Sequence, residues 1–186
     1  MISHDLLHLW SHQGGNCGLN FADHRITVQV GAVRPFHSPQ VPMLHHAHFD
    51  AKGGESTFAA VASKNGGTGY ITKAQALWET TALTPGLTLY IFNATPTSEL
   101  DDNKGNAAPA FADLAQYVGL IEFPSMKDSG GMSEAIATPS TVGNLPLAFE
   151  CATDADDLIC ILVTRDAITG EQADEEMTVR LTIEQN

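Results

Sequence analysis

The stretch "MTVRLTIEQ", residues 177–185, decides how the chain folds. Its apolar residues Met177, Val179, Leu181 and Ile183 fall on every second position, with Thr178, Arg180, Thr182 and Glu184 between them. Strand side chains point alternately to opposite faces, so this pattern gives a strand with one face on a core and one in water. The same period recurs upstream. "RITVQV" (25–30) aligns Ile26, Val28 and Val30, "LTLYIF" (87–92) aligns Leu87, Leu89 and Ile91, and "LPLAFEC" (145–151) aligns Leu145, Leu147, Phe149 and Cys151. "LICILV" (158–163) is apolar on both faces and reads as a central strand.

The segments between these strands are turns. "ATDADD" (152–157) is short and polar, which predicts a hairpin between strands 145–151 and 158–163, and "ITGEQADEE" (168–176) leads on to the final strand. Gly-rich "SKNGGTGY" (63–70) lacks the GK[ST] ending of a phosphate loop and reads as a hairpin turn. Helical spacing occurs in "PAFADLAQYVG" (109–119), where Phe111, Leu114, Ala115 and Val118 share an arc between Pro109 and Gly119. It predicts a short helix of about two to three turns. The expected architecture is mainly β: an antiparallel β-sandwich or jelly-roll-like domain over residues 25–186, with one short helix and an N-terminal arm over 1–24.

If "MISHDLLHLWSH" is helical, Ile2, Leu6, Leu9 and Trp10 gather on one arc and His4, His8 and His12 on the opposite one. "QGGNCG" then breaks the helix, so Leu6, Leu9 and Trp10 are candidate anchors on an arm that packs back on the domain or docks on a partner.

At 186 residues, 43% hydrophobic and 17% charged, the chain can bury a real core and is not a disordered one. No apolar run approaches the roughly 20 residues of a membrane span, and "MISHDLLHLW" lacks the features of a signal peptide. Cys17, Cys151 and Cys160 are odd in number and have no CxxC spacing, as expected of reduced core residues. The net charge of −13 is unevenly placed: residues 1–93 hold five acids and five bases, and residues 94–186 hold 17 acids and four bases. The C-terminal half should therefore present an acidic surface that repels nucleic acid and anionic membrane, leaving the neutral N-terminal half as the side to dock.

Catalytic and metal motifs are sparse. All eight histidines lie at or before His48, and "LHHAHFD" (44–50) places His46, His48 and Asp50 on one strand face, an arrangement able to chelate zinc or iron. A cupin site would need a glutamate three or four residues after the HxH and a later histidine; Glu55 is seven residues on, and no later histidine exists. His4 and His8 stand at i,i+4 spacing without an HExxH glutamate. The acidic turns "DADD" (154–157) and "DDNKGN" (101–106) do not follow the calcium-loop order. There is no GxSxG elbow, and Cys17 in "GGNCGLN" carries no protease signature. The expectation is a protein with no catalytic residue, metal or cofactor, and not an enzyme.

The C-terminal half, about residues 87–186, carries an N-x-x-P-T turn (Asn93 to Thr97), an acidic and Asn-containing loop (Asp102 to Phe111) and an A/D/L-rich short helix (Ala112 to Val118). These are followed by "VGLIEF" (Val118 to Phe123), an "LP-F" strand (Leu145 to Phe149), "LVTRDA" (Leu162 to Ala167) and a final "VRLTI" strand (Val179 to Ile183). In this order of motifs the half-chain resembles a group of tailed-bacteriophage head decoration (cement) proteins. The resemblance implies a β-rich virion protein on the outside of a capsid, made in the host cytoplasm and bound to the major capsid protein, often as a homotrimer. Two other classes share the motif-poor character or the histidines: a phage tail or baseplate component, and a metal-dependent jelly-roll enzyme.

Overall fold

The computed structural model describes residues 21–29, 56–98, 108–139, 144–166 and 176–185. Ten strands occur among them: β1 (Phe21–Gln29), β2 (Ser56–Phe58), β3 (Thr68–Trp78), β4 (Leu87–Phe92), β5 (Tyr117–Phe123), β6 (Lys127–Asp128), β7 (Ser133–Ala137), β8 (Leu147–Glu150), β9 (Leu158–Thr164) and β10 (Glu176–Gln185). They form two antiparallel sheets. One has the order β1-β10-β3-β7-β6, with β8 also paired to β3; the other has the order β2-β9-β4-β5. The class is the mainly β antiparallel sandwich that the period-two stretches predict. No helix among the described residues is long and apolar enough to cross a membrane.

The decisive stretch behaves as its alternation requires. Met177, Val179, Leu181 and Ile183 of β10 are buried, and the residues between them are half-buried. β10 lies inside its sheet, with β1 on one side and β3 on the other. β1 begins at Phe21, ahead of the alternation in 25–30, and its pairing of Phe21–His24 with Leu181–Glu184 puts these residues in the sheet. β3 is long enough to take two partners along its far edge, β8 opposite Thr68–Ile71 and β7 opposite Ala74–Trp78. A bulge sets Thr72 out of register with β10, and its hydroxyl donates to the Thr182 carbonyl at 3.2 Å.

The connections differ from the expected hairpins. Strand 145–151 does not pair with 158–163: β8 belongs to the larger sheet and β9 to the smaller, so residues 151–157 cross between layers. The turn at 63–67 likewise leads from β2 in one sheet to β3 in the other, not into a hairpin. Local polarity marks a turn but not which sheet the chain enters next. The two crossings lock together. Gly66 N–H donates to the Ala152 and Ala155 carbonyls at 2.9 Å, Cys151 N–H to Gly67 at 2.9 Å, and Asn65 Nδ2 to Asp154 at 2.9 Å. Gly66 has φ +65°, the left-handed conformation that glycine adopts without steric cost.

The core between the sheets is built from alternate positions of both. Leu87, Leu89 and Ile91 of β4, Leu158, Cys160 and Leu162 of β9, and Ile121 and Phe123 of β5 face Ala74, Ala76, Val179 and Leu181 of the opposite layer. Leu145, Phe149 and Cys151 are buried there and Leu147 packs against them, on the one face their spacing predicts. Gly69 sits where a side chain has no room: a Cβ would lie 2.5 Å from the Glu184 carbonyl and 2.8 Å from the Phe149 ring. Cys151 and Cys160 are free thiols in the core, as expected. Burial, with Asp157 and Asp156 nearby, pushes the Cys151 thiol up to about 11, and burial alone pushes Cys160 higher still.

One expectation about burial is overturned. The alternation in "LTLYIF" predicts a half-buried strand, yet every residue of β4 is buried. Tyr90 and Phe92, on the outer face, form a second apolar cluster with Ile161 and Val163 of β9 and with Ala108 from the β4–β5 link. Tyr117, Leu120 and Ile159 pack against it.

Candidate functional site

The link between β4 and β5 carries the least expected arrangement in the molecule. The helix predicted over 109–119 is reduced to one 3-10 turn, Phe111–Asp113. Tyr117 pairs with Phe92 and Gly119 with Ile91, so the C-terminal third of the helical pattern is taken into β5. What remains is too short to hold an α-helix by itself. Its orientation is also the reverse of the amphipathic reading. Phe111 is 91% exposed and Leu114 63%, Ala115 is exposed, and Asp113 is buried.

Asp113 is buried because it is fully engaged. Its Oδ1 accepts from the Thr97 backbone N–H and hydroxyl, both at 2.6 Å. Its Oδ2 accepts from the Ser98 N–H at 2.9 Å and from the Ser98 hydroxyl. The Ser98 oxygen in turn accepts the Ala110 N–H at 3.0 Å. The hydroxyls of Ser98 and Thr97, with both backbone donors and against the effect of burial, hold the carboxyl down at about 2. Asp113 is therefore a charged acceptor that ties the Thr97–Ser98 turn to the 3-10 turn. Below it, Asn93 N–H donates to Gln116 at 2.9 Å, and Asn93 Nδ2 reaches the Glu150 carbonyl of β8 at 3.2 Å.

The result is a knuckle with a fixed backbone and two exposed apolar side chains at its crest. A large apolar side chain held out in water on an immobilised turn loses little conformational freedom when it docks, and buried aromatic anchors carry much of the energy of protein interfaces. The knuckle also explains part of the motif pattern. Asn93, Thr97 and Asp113 belong to one hydrogen-bonded device, although the sequence separates the turn from the helix. "LVTRDA" plays a comparable structural part. Arg165 N–H donates to the Gly86 carbonyl at 2.7 Å, and its Nε to the Thr88 hydroxyl. The Asp166 carboxylate accepts the Gly86 N–H at 2.7 Å, so both residues fasten the entry to β4. The Arg165–Glu122 pair, at 3.9 Å and well exposed, adds little.

Helical spacing alone, which sets Phe111 and Leu114 on one arc with Ala115 and Val118, does not tell an exposed crest from a core-facing stripe. The available signal was the lone Asp113 in the apolar pattern, with two hydroxyl residues upstream at Thr97 and Ser98. The candidate anchors Leu6, Leu9 and Trp10 lie outside the described residues, as do His4, His8, Cys17, His46, His48, Asp50 and the 101–106 turn. Asp154, Asp156 and Asp157 are in the crossing beside Gly66, where the Asp154 and Asp156 carbonyls accept hydrogen bonds. Among the described residues, no group of three or more His, Cys, Asp or Glu side chains is placed to hold a metal ion. No protein-family model matches the chain, and no curated protein matches it either.

Proposed function

We propose that the protein is a virion structural protein, a cement protein that binds the outer surface of an icosahedral phage capsid and bridges neighbouring capsomers, with the major capsid protein as its partner. The observation that carries the reading is the Phe111–Leu114 crest on its Asp113-braced turn. It lies within the stretch that resembles cement proteins, and it offers a preorganised anchor where an enzyme would need converging reactive groups. The charge pattern supports the same partner class. A half-chain with 17 acids and four bases disfavours nucleic acid as that partner.

The test is occupancy on capsids assembled from the major capsid protein encoded with this chain. Wild-type protein should bind saturably, and the double variant Phe111→Ser/Leu114→Ser should lose affinity by at least about tenfold with its fold intact. Full occupancy by the double variant would remove the knuckle from the interface. No binding by the wild type would sink the capsid role. Deleting residues 1–12 in parallel tests the N-terminal arm: unchanged occupancy would exclude Leu6, Leu9 and Trp10 as anchors.

A further inference from the structure

A second feature lies on the other side of Asn93. A shallow, solvent-open cleft of about 470 Å³ lies over β8. Its floor is Ala148, which stands opposite Tyr70 in the β3–β8 register, while Glu150 stands opposite Thr68. All four are exposed on the outer face of the larger sheet, because Gly69 and Phe149 take the inward positions. Asn93, just past the end of β4, and Tyr117 and Val118 of β5 line it too.

The chemistry of this lining is specific. Tyr70 offers an aromatic ring 43% exposed. Tyr117 is half-buried and fixed by its neighbours, its ring 5.5 Å from Phe92 and 6.5 Å from Tyr90 between centroids. Burial, then Tyr90, raises its phenol, so near neutral pH it keeps its proton. Asn93 is held by its bonds to Gln116 and Glu150, and the Glu150 carboxylate and Thr68 hydroxyl are exposed polar groups at the rim. Among the described residues no Lys or Arg lines the cleft and Glu150 brings a carboxylate to it, which disfavours phosphate, sulfate and acidic ligands. Aromatic rings beside directional amide, hydroxyl and carboxylate groups suit a ligand with one apolar face and a rim of hydroxyls.

From this juxtaposition we infer that the cleft over β8 is a binding site for a neutral saccharide. The apolar face of a pyranose ring lies against Tyr70 above the small Ala148, and its hydroxyls hydrogen-bond to Glu150, Asn93 and Tyr117. The inference is independent of the capsid reading and is tested on the isolated full chain. The measurement is a ¹H–¹⁵N NMR titration with cellotriose, maltotriose, laminaritriose and chitotriose in turn. At least one should give saturable shifts centred on Tyr70, Ala148 and Glu150. Tyr70→Ala should weaken that binding about tenfold, and Glu150→Gln roughly fivefold. Ala148→Phe, which fills the floor from an exposed position, should abolish it while the remaining resonances stay in place. Saturable binding to none of the four sugars, or binding indifferent to Ala148→Phe, overturns the inference.

Discussion

In the larger sheet, β10 alternates buried and half-buried residues from Met177 to Glu184, as a strand with one wet face does; in the smaller sheet, β4 is buried at every residue and β9 at all but Ile159. Both sheets contribute one face to the same core. They differ in what lies outside. The outer face of β4 and β9 carries Tyr90, Phe92, Ile161 and Val163, joined by Ala108 of the β4–β5 link. That link is also the one braced by Asp113. The smaller sheet thus has a further apolar layer, and the link contributing to it presents Phe111 and Leu114 to solvent. An apolar outer face signals that some other part of the chain must come back over it.

If the outer face of the smaller sheet is a true second core, truncating it should cost as much as truncating the first. Phe92→Ala should lower unfolding stability by about 3–5 kcal/mol in urea titrations; a loss under about 1 kcal/mol would mean the face behaves as surface. Asp113→Asn should come next. It keeps the shape but halves the acceptor capacity, leaving Thr97 and Ser98 donors unmatched. The carboxyl is depressed from 3.8 to about 2, so its stabilisation is complete above 3.8 and lost as pH falls through about 2. The stability gap between wild type and Asp113→Asn should therefore be wide near neutrality and close across that window. A gap that is constant with pH would argue against a charged acceptor.

A reciprocal swap sharpens the contrast between sheets. Val163→Thr puts a hydroxyl into the second cluster and should cost about 1–3 kcal/mol, whereas Thr178→Val on the outer face of β10 should stay within about 0.5 kcal/mol. Equal effects would erase the distinction between the two outer faces. The smallest change in stability is expected at the crest itself. Phe111→Ser should leave the unfolding free energy within about 0.5 kcal/mol of wild type, since the side chain is already in water. A larger loss would mean that Phe111 packs on the domain in solution and is not free to dock.

Much of this was readable from residue order. The alternation in 177–185 determined a strand and its inward face, and Met177, Val179, Leu181 and Ile183 are buried accordingly, because a period of two is a local property of the extended backbone. The two-sided apolar run 158–163 determined a central strand, and β9 lies between β2 and β4. Gly, Asn and Asp marked the turns. What the chain alone could not determine was which strands meet. Residues 151–157 read equally well as a hairpin or as a crossing between layers, since both need a short polar turn, and only the pairing of β8 with β3 and β9 with β4 decides. Nor could helical spacing determine the fate of 109–119. There, Tyr117 gained a strand partner in Phe92 and Asp113 gained donors at Thr97 and Ser98, all distant in sequence. Those tertiary contacts outweigh the weak preference of a few residues for a helix, and they turned two apparent core residues into the exposed crest of the molecule.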